Sequence, residues 1–472
     1  MADERFAEHL AHPTGRGGVP VGAHLGIAGG AACGDLIRIG LLLDGELRIS
    51  AIGFEADGCG AAQAAASAAV TLAEGEHLFD AARIDAQSVA DELGGLSAGK
   101  FHAADLASDA LAVALGHAAR AAEPRALNDG RVLVALSGGV DSAVAAHLEQ
   151  EAGHEVVCVT LELWRSPEND GERSCCSASA VRLARSVAHR AGMPHLTVDL
   201  RDEFRAGVVE PYLEGHRRGV TPNPCVACNG HVRIDAMVGL ADRLGAATLV
   251  TGHYARLDPK SGRLRAAVDP AKDQSYMLAA LAPSTVARLR FPLGERTKPE
   301  VRAVAEAAGI SVAKRPESQD LCFLAGTGKA AFLARHGGLA DAPGPIVDTA
   351  GTVVGQHDGA HRFTVGQRRG LDLGGGPPRY VLRIDQAAAT VVVGEKDDLL
   401  TDRIALTRLA LHGTADEVRA VRLRYHAPVI ACRLDGAELV LDEPFAGAAP
   451  GQSACLLGGD GDVVVGTATI VG

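Results

Sequence analysis

An alternation of short apolar runs with helical segments between residues 131 and 253 most constrains how this chain folds. Strands are predicted at residues 131–136, 156–163, 195–199 and 248–253, with helices of ordinary length between them. Strands that alternate with such helices are typical of a parallel sheet with right-handed crossovers. This part of the chain is therefore predicted to form an α/β domain.

The segments on either side have different patterns. Two strand-like runs followed by Ala-rich helices predict an α+β domain at the front, ending in a linker near residues 121–130. Residues 283–340 have a mostly helical and connecting pattern, and short alternating runs beyond about residue 345 predict a C-terminal β-barrel. We expect four domains, at residues 1–125, 126–282, 283–345 and 346–472.

The charge of the chain is unevenly distributed. The net charge is −12, and residues 1–125 account for most of it, with 8 basic against 17 acidic residues. Nucleic-acid binding by a local basic patch in the remainder is therefore not excluded. No run of about 18 apolar residues is found, and the N-terminus lacks the apolar region of a signal peptide. We expect a cytoplasmic protein that does not enter a membrane.

The first strand of the predicted parallel sheet runs into the turn SGGVDS, residues 137–142. Glycines let backbone N–H groups approach phosphate oxygens, and the helix that follows favours negative charge at its N-terminus. Ser137 and Ser142 add hydroxyl donors, Asp141 could help to hold Mg²⁺, and the Walker lysine is lacking. A turn that merely caps a helix is the alternative. The string resembles the pyrophosphate loop of the N-type ATP pyrophosphatases, which implies a Rossmann-like domain that uses ATP.

The ten cysteines are the second unusual feature, because structural disulfides are rare in cytoplasmic proteins. Cys225 and Cys228 lie in TPNPCVACN ahead of a predicted helix, and Cys322 lies in the separate segment SQDLCF. Thiols near helix N-termini ionise readily. Two thiols on separate loops suit sulfur relay, in which one carries a persulfide and the other cleaves its S–S bond. A zinc site and buried structural cysteines are the alternatives, although a second C-x₂-C pair at the usual spacing for zinc is lacking.

A set of motifs in the same order resembles the tRNA-specific 2-thiouridylases: SGGVDS, Cys175-Cys176-Ser177, GVTPNPCVACN, VTGHYAR, KDQSYML, SQDLCF and HRFTVGQRRGL. The resemblance covers about residues 130–472. It implies an ATP pyrophosphatase domain, a small central domain and a C-terminal β-barrel that contacts tRNA. It also implies ATP-dependent 2-thiolation of the wobble uridine of tRNA, by adenylation of the C2 oxygen and sulfur transfer from a cysteine persulfide.

The same resemblance implies roles for individual residues. Cys228 would be the nucleophile and Cys322 the persulfide carrier. ATP would be bound by Ala135, Leu136, Ser137, Gly138, Gly139, Val140, Asp141, Ser142, Leu161 and Gly252. The tRNA or its target base would be contacted by His253, Lys272, Asp273, Gln274 and Gln367, with phosphate contacts from Arg368 and Arg369. Simpler roles stay open: a strand-end cap for His253, a solvated turn for the two arginines, and core packing for Tyr276 and Phe323.

Cys225 stands where some members of that family have Asp. It opens a second mechanism, in which Cys225, Cys228 and Cys322 ligate an Fe–S cluster whose open iron binds sulfide. We favour persulfide relay. Two rival functions are an ATP pyrophosphatase that amidates or ligates, and an Fe–S carrier whose nucleotide domain is regulatory. The thiol pair argues against the first, because nitrogen transfer needs no thiol.

The front segment resembles the iron–sulfur scaffolds of the IscU/NifU type in the strings ACGD, GCG and KFH. Those scaffolds use three cysteines with a nearby Asp and His, but the position after His102 is Ala103 here. The remaining candidate ligands for Zn²⁺ or a labile cluster are Cys33, Asp35, Cys59 and His102. We expect this domain to dock a cysteine desulfurase that hands sulfur to Cys322. The alternative to a metal site is a domain that keeps the scaffold fold for docking and binds no metal.

Overall fold

The computed structural model describes residues 2–29, 34–165, 178–315, 321–324 and 326–471. An α+β domain comes first, followed by a domain built on a five-stranded sheet, a four-stranded sheet and a closed barrel. The predicted fold class is confirmed. Within the described ranges, no helix combines the length and the apolar character needed to cross a membrane.

The N-terminal domain packs an antiparallel sheet, in the order β1-β2-β3, against helices rich in alanine. Its elements are α1 (Ala2–Ala11), β1 (His24–Gly29), β2 (Leu36–Leu43), β3 (Ile49–Asp57), α2 (Gly60–Ala73), α3 (Leu78–Ala81), α4 (Ala86–Glu92) and α5 (Phe101–Ala121). Most alanines of α2 and α5 are buried. Close approach of helices with small side chains therefore forms much of this core.

The second domain has a sheet of order β10-β7-β4-β5-β6 in which all neighbours are parallel, as predicted. Its elements are β4 (Asn128–Ala135), α6 (Val140–Glu151), β5 (Glu155–Glu162), α7 (Ala178–Arg190), β6 (His195–Asp199), α8 (Arg201–Phe204), α9 (Glu210–Arg217), α10 (Pro224–Ala227), α11 (Ile234–Leu244), β7 (Ala246–Thr251), β8 (Ala255–Leu257), β9 (Leu264–Ala266), α12 (Ser275–Leu278), α13 (Pro283–Val286), β10 (Leu289–Arg290) and α14 (Lys298–Ala307). Two π-helical turns, Arg205–Val209 and Cys228–Arg233, interrupt the helical segments before α9 and α11.

The N-terminal domain covers the edge strand β6 of the parallel sheet. The backbone N–H of His195 in β6 donates to the carbonyl of Ala82 at 3.1 Å, and His189 Nε2 lies 2.9 Å from the same oxygen. Arg83 Nε donates to the carbonyl of Gly192 at 3.0 Å. An exposed strand edge invites pairing with other chains, and this contact satisfies part of the edge within the molecule.

The C-terminal part contains α15 (Lys329–Gly337), β11 (Gly344–Val347), β12 (Val353–His357), β13 (Tyr380–Asp385), β14 (Thr390–Gly394), β15 (Leu400–Leu411), β16 (Ala420–Arg422), β17 (Ile430–Asp435), β18 (Glu438–Ala446), β19 (Ser453–Gly458) and β20 (Val463–Ile470). Short 3₁₀ turns lie at Ala360–Arg362, Asp397–Leu399 and Ala415–Glu417. The barrel order is β15-β18-β17-β16-β19-β20, and it closes because β20 also pairs with β15.

Two runs that the sequence pattern grouped with the barrel, residues 379–385 and 389–396, lie instead in a sheet of order β12-β11-β14-β13. The barrel strands begin at Leu400. The separate sheet has its own small core, in which Ile346 packs with Val391 and Val393. Alternating runs look the same in either sheet, because alternation shows which face is buried and not which strand is the partner.

Candidate active site

Residues 136–139 connect β4 to α6, and serine side chains hold the shape of this turn. Ser142 Oγ accepts a hydrogen bond from the Ser137 N–H at 3.1 Å and donates one to the Gly139 carbonyl at 3.1 Å. Gly138 has φ +71°, and a Cβ there would lie 3.0 Å from the Ala180 carbonyl oxygen. The position therefore favours glycine. The turn leads directly into a helix N-terminus, which is suited to anions.

Asp141, in the first turn of α6, pairs with Lys298 at the start of α14. Lys298 Nζ lies 2.7 and 2.8 Å from the two carboxylate oxygens, and the Tyr254 hydroxyl donates to Oδ1 at 3.0 Å. Lys298 is buried, and a capping box between Thr297 and Glu300 begins its helix. A distant segment therefore supplies a lysine beside a loop that has none of its own.

A cavity of about 690 Å³ lies at the carboxyl ends of β4, β5 and β7, where parallel α/β sheets bind their ligands. The predicted ATP-binding residues that line it are Ala135, Leu136, Ser137, Gly139, Val140, Asp141, Ser142, Leu161 and Gly252. Gly138 lies in the same turn. Three residues predicted to contact tRNA, His253, Lys272 and Gln274, line the same cavity. The fold thus brings the two predicted groups together.

His253 is a neutral hydrogen-bonding group in this cavity. Its Nε2 lies 3.1 Å from Nη2 of Arg233, and its Nδ1 lies 2.9 Å from Thr251 Oγ1. Burial lowers the pKa of His253 to about 3, and the nearby charge of Arg233 acts in the same direction. The imidazole is therefore uncharged near neutral pH, so His253 would offer tRNA a polar contact rather than a positive charge.

Cys228 begins the π-helical turn Cys228–Arg233 and is buried, whereas Cys225 and Cys322 are half-buried. The Asn223 side chain caps α10 by accepting hydrogen bonds from the N–H groups of Cys225 and Val226 at 3.1 and 3.2 Å. Irregular π-helical turns are frequent at functional sites. Cys228 belongs to a hydrophobic cluster against which Cys322 also packs. That the two sulfur atoms react together stays a prediction.

The residue after Cys322 is anchored in an aromatic cluster. The Phe323 ring centroid lies 5.9 Å from that of Phe204, 5.3 Å from that of Tyr212 and 5.0 Å from that of Phe332. Phe323 and Tyr276 are both fully buried. Core packing, the role favoured for these two rings, is therefore confirmed. Cys175, Cys176 and most of the segment before Cys322 lie outside the described residues.

The other predicted tRNA residues do not line the cavity. Asp273 is buried, and Arg422 of the barrel donates to its Oδ2 at 2.5 Å, so this carboxylate joins two domains. Gln367 accepts a hydrogen bond from the Thr364 N–H at 3.1 Å and donates to the Arg369 carbonyl at 2.9 Å, which closes a turn. Arg368 and Arg369 are exposed on that turn. Their contact with tRNA stays a prediction.

The N-terminal domain brings Asp35, Cys59 and His102 together, with ligand atoms within 4.8 Å of one another. Asp35 Oδ2 lies 3.3 Å from Cys59 Sγ and 3.3 Å from His102 Nε2. The Cys59 N–H donates to the other oxygen at 2.9 Å, and this bond is the main cause that lowers the pKa of Asp35. A carboxylate, a thiol and an imidazole suit Zn²⁺. Ala103 is fully buried, and Cys33 lies outside the described residues.

Several residues that line the cavity were missed from the sequence, among them Arg233, Tyr254, Arg315 and Tyr425. Arg315 Nη1 donates to the Gly138 carbonyl at 3.0 Å, from a segment more than a hundred residues away in sequence. Arg233 follows the Cys228 motif by only a few residues, and Tyr254 lies in the motif VTGHYAR directly after His253, so proximity to these motifs was the available signal. Arg315 and Tyr425 carry no local pattern that indicates a nucleotide site.

Family models match the chain in four consecutive segments. The NifU-like N terminal domain matches residues 2–122, and the tRNA methyl transferase HUP domain matches residues 130–326. The tRNA methyl transferase PRC-barrel domain follows at residues 330–395, and the aminomethyltransferase beta-barrel domain at residues 401–470.

Curated relatives agree with these matches. A bifunctional protein NifU/MnmA of Rubrobacter xylanophilus is 42% identical over 98% of this chain and 97% of its own length. A tRNA-specific 2-thiouridylase MnmA of Thermobifida fusca is 46% identical over 72% of this chain and 95% of its own. A solved 4-thiouridine synthetase–RNA complex with bound ATP covers 43% of this chain and 47% of its own, at 20% identity and a TM-score of 0.28. The chain therefore belongs to the tRNA-specific 2-thiouridylase family, in the bifunctional form that carries a NifU-like domain at its N-terminus.

Proposed function

We propose that this protein thiolates the C2 position of the wobble uridine of tRNA and uses ATP to activate that position. One observation carries the proposal: two predicted sites line the same cavity. The SGGVDS turn, Leu161 and Gly252 are predicted to bind ATP, and His253, Lys272 and Gln274 are predicted to contact tRNA. Its volume is in the range of small-molecule sites. The family membership supports the same activity.

In the first step, the uridine C2 oxygen forms a bond to the α-phosphorus of ATP, and pyrophosphate leaves with the electron pair of the broken P–O bond. The turn at residues 137–142 would bind the departing phosphates through backbone N–H groups and the two serine hydroxyls. Mg²⁺ offsets phosphate charge in such reactions. The product is an adenylated uridine with AMP as a good leaving group.

In the second step, the terminal sulfur of a persulfide on Cys322 attacks C2, and AMP leaves with the C2–O electron pair. The Cys228 thiolate then attacks the Cys322 sulfur, which breaks the S–S bond and leaves 2-thiouridine. The two cysteines end as a disulfide, so a thiol reductant must restore them before the next turnover. The burial of Cys228 and the half-buried position of Cys322 suit a sulfur intermediate shielded from water.

Thiolation in vitro with ATP, tRNA, a desulfurase and cysteine tests this scheme. Cys228→Ser and Cys322→Ser proteins should form no 2-thiouridine, whereas both should still release pyrophosphate because adenylation needs neither thiol. Cys432→Ala in the barrel is the matched control, because it removes a buried thiol from another domain. Full thiolation by either serine variant would contradict the relay.

The wild-type protein decides between persulfide relay and the cluster. Cys225, Cys228 and Cys322 would be the protein ligands of a cluster, since three thiolates can hold one with an open iron. Iron content and Mössbauer spectra of anaerobically purified active protein distinguish the two mechanisms. Active protein without iron would exclude the cluster, and persulfide relay predicts that result.

For the N-terminal domain we propose two roles that do not depend on each other. Asp35, Cys59 and His102, together with Cys33, would hold Zn²⁺ or a labile cluster, and Ala103 leaves the site without the third scaffold cysteine. The domain would also dock a cysteine desulfurase that passes sulfur to Cys322. Some relatives match 72% of this chain but nearly all of their own length. In those proteins the thiouridylase domains therefore occur without this N-terminal domain.

Removal of residues 1–125 tests the docking role when two sulfur donors are compared. Because the domain covers the edge strand β6, its removal also threatens stability. Inorganic sulfide bypasses the desulfurase and reports whether the truncated protein is still active. Docking predicts that the desulfurase-dependent rate falls while the sulfide-dependent rate persists. Equal retention of both rates would exclude a delivery role.

A further inference from the structure

Arg233 is a cationic residue of the cavity to which the sequence motifs assign no role. It ends the π-helical turn Cys228–Arg233, which has the proposed nucleophile at its other end. Its guanidinium lines the same cavity as the SGGVDS turn and Gly252. One element therefore carries a reactive thiol at its start and a fixed positive charge at its end.

The hydrogen bond to His253 holds this guanidinium without neutralising it. Nη2 of Arg233 is a donor only, so at 3.1 Å the facing Nε2 of His253 must be the unprotonated nitrogen of the ring. The ring proton then lies on Nδ1 and can be donated to Thr251 Oγ1 at 2.9 Å. A neutral imidazole fixed in one tautomer orients the arginine and leaves its charge uncompensated.

The charges around Arg233 favour an anionic ligand. Among the described residues, no carboxylate lies within 4.0 Å of its guanidinium nitrogens. The described lining of the cavity has three cationic side chains, Arg233, Lys272 and Arg315, and one carboxylate, Asp141. That carboxylate already pairs with Lys298. A half-buried arginine with no carboxylate partner among the described residues is suited to phosphate.

We propose that Arg233 binds the α-phosphate of ATP and the adenylate formed from it. The inference rests on the proposed function, in which residues 137–142 bind the departing phosphates, and on the expectation from the family resemblance that Leu161 and Gly252 hold the adenine and ribose. The α-phosphate joins these two parts of ATP. His253 directly follows Gly252 in sequence, so the arginine that it holds lies beside the segment where the α-phosphate must sit.

The chemical role follows from where charge changes during adenylation. When the uridine oxygen bonds to the α-phosphorus and pyrophosphate leaves, negative charge is held on the two non-bridging oxygens of that phosphate. A preorganised guanidinium stabilises this charge without moving, and it stabilises AMP again when the C2–O bond breaks. Arg233 exchanges no proton and no electron in either step.

Pyrophosphate release by the full-length protein with tRNA tests the proposal, with the two diastereomers of ATPαS as substrates. In each diastereomer sulfur replaces a different non-bridging α-phosphate oxygen. The wild-type protein should prefer one of them. Arg233→Gln should slow pyrophosphate release by about 100-fold, the usual cost of losing one such donor, and should bring the ratio of the two diastereomer rates close to one. Arg233→Lys, which keeps the charge, should recover part of the rate.

Arg243→Gln is the matched control, because Arg243 lies on the following helix and donates to the Gly239 carbonyl without lining the cavity. It should leave the rate and the ratio unchanged. A wild-type diastereomer ratio in Arg233→Gln, or in Arg233→Met if the Gln variant does not fold, would overturn the proposal. So would equal rates for the two diastereomers in the wild type. A wild-type protein that releases no pyrophosphate with tRNA would instead refute the proposed function itself.

Discussion

Gly116 of α5 faces the backbone of Thr197 in β6 so closely that a Cβ at residue 116 would lie 1.8 Å from the Thr197 carbonyl oxygen. The NifU-like domain and the domain built on the parallel sheet thus meet through backbone, at the edge of that sheet. Asp109 of α5 also forms an ion pair with Arg185 of α7, beside this contact. The two domains are therefore packed directly against each other and are not joined only by a flexible linker.

Gly116→Ala is expected to destabilise the protein despite the higher helix propensity of alanine, which by itself would add about 1 kcal/mol. The new methyl group meets backbone, so α5 must shift away from β6, at a cost of about 1–3 kcal/mol for an overpacked site. Thermal unfolding should show a lower midpoint. Gly45→Ala is the control, since its Cβ would meet no atom within 4 Å. An equal midpoint for the two variants would show that the interface accommodates the added methyl group without loss of stability.

Lys298→Met is expected to lower the free energy of unfolding by about 1–2 kcal/mol. It leaves the Asp141 carboxylate without its cation, but that side chain is 31% exposed, so water compensates part of the loss. Asp141→Asn combined with Lys298→Met should cost less than the sum of the single changes. Urea unfolding of the four proteins measures this coupling, and strictly additive effects would mean that the pair contributes nothing.

The stability of the protein should fall as the pH drops from about 6.5 towards 3, in part because of His216. Burial, followed by the charge of Lys329, lowers the pKa of His216 to about 3 in the folded state. Between pH 3 and about pH 6.5 the unfolded chain binds a proton that the folded chain does not, so the free energy of unfolding rises with pH by at most about 1.4 kcal/mol per pH unit. Above about pH 6.5 this contribution no longer changes with pH.

His216→Gln should reduce this slope, and His12→Gln, which changes an exposed histidine of the N-terminal domain, should not. Urea unfolding between pH 4 and pH 8 gives the slopes of the three proteins. His253 is also neutral when folded, so some dependence should persist in the His216 variant. An unchanged slope in His216→Gln would show that this residue is protonated in the folded protein.

Metal binding by the N-terminal domain should depend on Cys59 and His102. The full-length protein is expected to bind Co²⁺ with a thiolate-to-metal absorption band, because Asp35, Cys59 and His102 present ligand atoms within 4.8 Å of one another. Cys59→Ala and His102→Ala should each weaken binding at least about tenfold, the cost of losing even an outer-shell partner. Cys432→Ala should have no effect, since Cys432 lies in the barrel core. If Cys59→Ala and His102→Ala both bound Co²⁺ as tightly as the wild-type protein, this site would be excluded.

The strands and helices around the SGGVDS turn could be predicted because their signals are local. The apolar run that forms β4, the glycines of the turn and the helix after it follow one another in a single stretch of sequence. The same holds for the Ala-rich helices α2 and α5. The sequence places Cys228 ahead of a predicted helix and does not indicate the π-helical turn that begins there, because the hydrogen bonding of such a turn depends on packing and has no residue pattern of its own.

The sequence by itself determined the parallel sheet, the SGGVDS turn and the residues that resemble the 2-thiouridylases, because each depends on neighbours in the chain. Only the tertiary structure decided that Lys298 pairs with Asp141, that Arg233 bonds to His253, and that α5 packs on β6. Such contacts join residues far apart in sequence, or on elements whose relative position is set by the whole core. Their partners depend on how the domains pack and not on local propensity.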